Sequence, residues 1–225
     1  VKPTFGAQLA AVLRRDLDRE RRSGEVLWIT VPFGAIALIL VQLAVGADAP
    51  ILRELGPGLY WAVVLLFGVL ISVRRTTAET QAQRDLVALL GIDPAAAFAG
   101  RALANTILLL AFELVVGVVA VLFYDIRLDP AGWLLVALIL PIAAFGMAVL
   151  GTVAGSIATR AAIGPALIPL IVAPLAVPLL LAAAESVEGL RTGTGILPWM
   201  LLMVTVDLML SIAGVLTARP LMETQ

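Results

Sequence analysis

Apolar and polar positions alternate along this chain in long blocks. Six stretches of about 20 apolar residues can be marked, at roughly 26–46, 57–74, 98–124, 131–158, 165–184 and 197–218. Each is long enough, at about 1.5 Å per residue, to cross a hydrocarbon core about 30 Å thick. Proline stands at or near the start of several of them, as Pro57, Pro130 after Asp129, Pro165 after Gly164 and Pro198. At the first helical position its missing N–H costs nothing, so these prolines read as helix starts. The pattern predicts an all-α integral membrane protein with six transmembrane helices in one domain spanning residues 1–225.

Ahead of the first span, Phe5, Leu9, Val12, Leu13 and Leu17 recur at helical spacing with charges between them. Thr4 is the expected N-cap and Gly24 the stop, giving an amphipathic helix over about 1–24 that lies in the membrane interface. Its arginines, Arg14, Arg15, Arg19, Arg21 and Arg22, suit anionic headgroups. An ordinary helix packed on the polar loop is the alternative. No small-residue cleavage site follows closely on the first span, so a removable signal peptide is not expected.

The one long polar interruption runs from Arg74 to Arg101, RRTTAETQAQRDLVALLGIDPAAAFAGR. Thr76 followed by Glu79 is a capping box, and Gly91 is a natural stop, so a helix of about 77–90 is expected. Its first half is polar, while Leu86, Val87, Leu89 and Leu90 form an apolar end. Asp93 then caps a new helix with Pro94 in its first turn, continuing through Arg101 into the third span. A short helix, a turn and a long helix make a lever that can pass motion from a cytoplasmic machine into the bilayer. A helix that merely covers the bundle fits the same residues.

Composition narrows the function. The chain is 61% hydrophobic and 14% charged, with no cysteine and no histidine. Disulfides, thiolate or imidazole metal sites and the usual neutral-pH acid/base are therefore excluded. The net charge of -1 conceals a strong asymmetry. Lys2, the five arginines of the first helix, Arg74, Arg75, Arg84, Arg101, Arg160 and Arg219 fall on one side, and only Arg53, Arg127 and Arg191 on the other. The positive-inside rule then puts both termini and the long loop in the cytoplasm. The outer connections, 47–56, 125–130 and 185–196, are short. The phosphate-cradling G-x-x-x-x-G-K-[ST] pattern is missing and the only lysine is Lys2, so any ATP must be held by a separate subunit.

Inside the spans two carboxyls stand out. Glu113 and Asp207 each lie near mid-bilayer, where an ionisable group costs at least about 2.5 kcal/mol unless it faces a polar interior. Both are expected to point into the bundle, either as a polar lining for a substrate path or subunit contact, or as protonated carboxyls hydrogen-bonded to Thr, Ser, Asn or a backbone carbonyl. For Asp207 the hydroxyls close by in sequence are Thr205 and Ser211. Pro165, Pro169, Pro174 and Pro178 predict a kinked or broken fifth helix. Gly151 and Gly155, with Gly146 and Ala148 nearby, favour a close helix contact, within the chain or between two copies.

The order of segments RRDLDRERRSGEVLW, LRELGPGLYWAVVLLFGVLISVRRTTAETQAQRDLVALLGIDP, NTILLLAFELVV, GTVAGSIATRAA, PALIPLIVAPLAVPLLLAAAES and WMLLMVTVDLMLS resembles the CcmB family over nearly the full chain. These are membrane permease subunits of the haem-exporter-type ABC transporter used in cytochrome c maturation. The resemblance implies an ABC-2 exporter fold with an interfacial helix and a cytoplasmic coupling helix docked on a CcmA-like ATPase. It implies CcmC-like and CcmD-like membrane partners that load haem onto a CcmE-like chaperone, and a bacterial inner-membrane location. On that footing Glu79, Gln83, Arg84, Asp85, Leu86, Leu89 and Leu90 are the expected ATPase contacts.

The chain is then a non-catalytic subunit, with ATP and haem on its partners, a second copy of itself as a possible mate, and no nucleic acid. Without histidine, axial haem ligation would fall to residues such as Met147, Met203 or Tyr124, and no cofactor is expected to bind this chain directly. Export of another hydrophobic substrate and a non-transporting scaffold are the competing functions. A membrane enzyme built on Glu113 and Asp207 would have little chemistry to work with.

Overall fold

A computed structural model describes residues 3–46, 49–77, 91–124, 126–160 and 167–218. Among them the chain is all-helical. Helix α1, Phe5–Ser23, starts where the Thr4 hydroxyl accepts the Ala7 N–H, and ends where Gly24 turns left-handed at φ 64°. A π-helical turn, Glu25–Thr30, leads into α2, Val31–Val45. The widened turn begins where the Val26 N–H donates to Glu20 Oε1 at 2.7 Å, so a side chain rather than a carbonyl takes that donor. Then follow α3, Ala49–Thr77; α4, Pro94–Tyr124; α5, Pro130–Arg160; α6, Leu167–Thr192; and α7, Leu197–Ala218. Helices α2 to α7 supply six segments long and apolar enough to cross a bilayer among the described residues.

Several starts are set by local chemistry. Asp93 Oδ1 accepts the Ala95 N–H at 2.8 Å and Pro94 opens α4; Asp129 Oδ1 accepts the Gly132 N–H at 2.8 Å and Pro130 opens α5. Helix α4 continues without a break through Arg101 into its span. Three expectations are corrected. Helix α3 begins at Ala49, so Pro57 lies inside it and not at its start. Pro50 occupies the first turn instead, and one missing N–H at Pro57 costs the helix a single bond. At its other end α3 runs through Thr77, which puts Thr76 in its last turn and not at the cap of a separate helix.

Third, of the kinked and broken alternatives for α6 the broken one falls, because the helix runs on through Pro174 and Pro178, and it extends beyond Ala184 to Thr192. Polar side chains continue the helix there. Ser186 Oγ donates to the Ala182 carbonyl, Arg191 pairs with Glu188 at 2.6 Å, and the Thr192 hydroxyl donates to the Glu188 carbonyl. Gly193, at φ 72°, marks the end. Pro165 lies outside the described residues.

Helix α5 sits at the centre, against α3, α4, α6 and α7. Its Ala143, Ala144, Met147 and Ala148 have no exposure. Small residues permit this closeness. A Cβ at Gly151 would collide with Ser72 Oγ of α3, and one at Gly146 with Asp207 Oδ1 of α7. The expected small-residue contact at Gly151 is thus internal to the chain. Helices α2 and α7 lie at the margin, with Phe33, Leu40, Leu43, Leu208, Met209 and Leu216 exposed as bilayer-facing side chains are. Exposed Trp28 near one end of the bundle and Trp133 near the other fit the aromatic belts at membrane interfaces.

Candidate functional site

Three places carry chemistry: the interior polar groups, an apolar cleft, and the junction of α1 with the start of α4. Glu113, about two-thirds of the way along α4, is fully buried, and neither Oε1 nor Oε2 meets a hydrogen-bond partner among the described residues. Beside it the Tyr60 hydroxyl of α3 donates to the Glu113 backbone carbonyl at 3.1 Å, tying α3 to α4 at the same level. Asp207 of α7 is 6% exposed and points into the notch left by Gly146 of α5, with Oδ1 unpartnered among the described residues.

The bonds expected from Thr205 and Ser211 to Asp207 are not made. Thr205 is exposed and donates to the Leu201 carbonyl, while Ser211 Oγ has no partner among the described residues. A helical hydroxyl finds the carbonyl four residues back more readily than a side chain pointing across the bundle. Glu113 and Asp207 both face inward, but on different helices and toward different neighbours. Asn105 is a polar position that sequence reasoning passed over. Its Nδ2 donates to Thr152 Oγ1 at 2.9 Å, and Thr152 in turn donates to the Ala148 carbonyl. A lone asparagine in an apolar span was the available signal, since such groups seek a partner on a neighbouring helix.

Met147 and Met203 have no exposure and sit in the core. Tyr124, equally buried, donates its hydroxyl to the Leu38 carbonyl of α2 at 2.7 Å. Among the described residues, no group of three or more His, Cys, Asp or Glu side chains is arranged to hold a metal ion.

A cleft of about 390 Å³ opens beside Tyr60 and Trp61, toward the end of the bundle remote from α1. Its walls are apolar, with Pro57, Val118, Leu122 and Trp133 among them. Gly117 lies at its back, where the absent side chain leaves room next to the Tyr60 ring. A dry, apolar space of this kind takes hydrophobic groups and rejects water.

At the opposite end α1 is fastened to α4. The Asp93 N–H donates to Gln8 Oε1 at 2.7 Å, and a Cβ at Gly100 would stand 2.9 Å from both the Leu9 carbonyl oxygen and Val12 Cβ. Val12, Asp16 and Glu20 form the buried stripe of α1, while Leu9, Leu13 and Leu17 are half-buried. Arg14, Arg15, Arg19, Arg21 and Arg22 are all exposed. Glu79, Gln83, Arg84, Asp85, Leu86, Leu89 and Leu90, the expected ATPase contacts, lie outside the described residues. The described frame around them is α3 up to Thr77 and, after Gly91 at φ 64°, the capped start of α4.

The profile of the CcmB protein family matches residues 7–220. The chain belongs to the CcmB family. Heme exporter protein B of Bradyrhizobium diazoefficiens is 30% identical over 186 residues, covering 82% of this chain and 83% of that protein. Heme exporter protein B of Rhodobacter capsulatus is 32% identical over 193 residues, covering 84% and 86%. This CcmB-family chain is a multi-pass membrane protein, with six apolar helices long enough to cross a bilayer among the described residues.

Proposed function

We propose that the chain is the permease subunit of an ATP-driven complex for haem handling in cytochrome c maturation, with the ATPase on a separate subunit. Its relatives in two bacteria are named for haem export. One structural observation supports the coupling: the segment between Thr77 and Gly91 is flanked by α3 and by α4, whose capping residue Asp93 is held to α1 through its hydrogen bond with Gln8. A push on that loop reaches a braced helix end. The loop residues Glu79, Gln83, Arg84, Asp85, Leu86, Leu89 and Leu90 are the contacts assigned to the ATPase. The twelve-to-three division of Lys and Arg puts this end, and both termini, on the cytoplasmic side of a bacterial inner membrane.

Haem in this scheme is cargo carried by partner membrane subunits and released on a chaperone. Met147 and Met203 are locked in the core and the Tyr124 hydroxyl is engaged on Leu38, so none of these three side chains is open to a haem iron. Glu113 is the group assigned to the working interior. The test is affinity purification in mild detergent. An ATPase recovered with a haem-containing membrane partner supports the proposal. An ATPase alone favours export of another hydrophobic substrate, a reading the apolar cleft also suits, and no ATPase overturns both.

A further inference from the structure

The exposed charge on α1 is predominantly positive. Asp16 is turned inward and bonded by Arg15, and Glu20 is turned inward onto the Val26 N–H. That leaves five exposed arginines against the single exposed acid Asp18. Arg14, Leu17 and Arg21 follow one another at i, i+3 and i+7, a single stripe in which the two guanidinium stems stand about 10 Å apart along the axis. Arg22 borders it. Next to this stripe lie the half-buried Leu9 and Leu13, and beyond the helix's end the Trp28 ring is 81% exposed. An apolar row, an indole and a guanidinium stripe are the side-chain types that settle where acyl chains meet headgroups.

We propose that Arg14, Arg21 and Arg22 bind the headgroups of anionic phospholipids, and that this binding steadies the start of α4. The partner is fixed by charge complementarity: a net positive strip at headgroup depth is attracted to an anionic leaflet and gains nothing from a zwitterionic one. The effect reaches α4 because α1 has no freedom to settle independently of it. Gln8 holds the Asp93 N–H, and Gly100 admits the α1 backbone so closely that Leu9 and Val12 lie directly on α4.

The experiment uses the full-length chain in phosphatidylcholine vesicles, with and without phosphatidylglycerol. Association of spin-labelled phosphatidylglycerol is compared with that of spin-labelled phosphatidylcholine, and hydrogen exchange is followed at the amides within residues 93–97, Pro94 having none. Wild type should prefer phosphatidylglycerol about fivefold, the ratio equivalent to about 1 kcal/mol for one arginine at an anionic surface. Its 93–97 amides should exchange more slowly when phosphatidylglycerol is present. R14Q/R21Q/R22Q should lose both effects, and R14K/R21K/R22K should keep the preference, which separates lost charge from lost folding. Gln8→Ala should keep the preference but lose the slowed exchange. Equal association of the two lipids with wild type, an undiminished preference in the triple glutamine variant, or exchange at 93–97 that ignores lipid charge would each overturn the proposal.

Discussion

Replacing Glu113 by leucine should make the purified protein more stable and less active. The side chain is wholly buried in the bundle, and both carboxyl oxygens lack hydrogen-bond partners among the described residues. A buried polar group left unsatisfied costs about 1–3 kcal/mol. A hydrophobic replacement of similar size gives back less than about 1.5 kcal/mol in imperfect fit. The expected net gain is about 1 kcal/mol, read as a higher midpoint of thermal unfolding in mild detergent. Glu113→Gln keeps the shape and the polarity and should leave the midpoint close to wild type. Activity is read separately, as covalently attached haem in c-type cytochromes of cells whose only copy carries the variant. If the carboxyl serves the working cycle, Glu113→Leu matures little cytochrome c while its partners still co-purify with it. A group that costs stability and yet is required is what a functional site in a membrane looks like. A lower midpoint for Glu113→Leu would mean that the carboxyl has a stabilising partner and is structural. Undiminished maturation would remove Glu113 from the mechanism.

Gly146→Val should destabilise the bundle by about 1–3 kcal/mol, because the new side chain enters space held by Asp207 and Leu179; part of the loss should return when Asp207→Ala is added, measured as a double-mutant cycle. Gly58→Ala, where a Cβ meets nothing within 4 Å, should be neutral or slightly stabilising in the same unfolding assay. Tyr124→Phe should cost about 0.5–1.5 kcal/mol, the worth of its hydrogen bond to the Leu38 carbonyl, with faster hydrogen exchange along α2 as the local sign.

What could be read from the sequence was what is decided within a turn or two of chain. Thr4, Gly24, Asp93–Pro94 and Asp129–Pro130 act on their own neighbours, and they sit where local rules put them. Pro57 was misplaced because a proline in a first turn and one inside a helix look alike until the preceding residues are known to be helical. The polar run after Ala184 suggested a connection, yet hydropathy marks where a bilayer ends and not where a helix does. Glu188, Arg191 and Thr192 satisfy one another on the helix they prolong. That Glu113 and Asp207 face inward followed from the cost of exposing them to lipid. What surrounds them did not, since Tyr60 and Gly146 come from other helices, more than fifty positions away in the chain.

Helix α4 gathers these features into one element. Its start is fastened to α1 by the Asp93 N–H and by Gly100, its middle carries Glu113 beside the Tyr60 hydroxyl, and its far end holds α2 through Tyr124. With 31 residues it is about 46 Å long, against a hydrocarbon core of about 30 Å, so its first turns stand outside the apolar layer on the side where α1 lies. Helices α3, α5 and α6 all carry interior prolines; α4 has its only proline at the first position. A helix with an unbroken hydrogen-bond ladder does not absorb a displacement by kinking. Movement imposed at Asp93 must therefore appear along its whole length, at Glu113 and at the wall of the cleft formed by Val118 and Leu122. Such an α4 joins the loop end to the interior without any further hinge among the described residues. On the proposed coupling, a proline placed at exposed Val115 should separate the two ends, leaving ATPase binding intact while abolishing cytochrome c maturation, and normal maturation in that variant would refute transmission through α4.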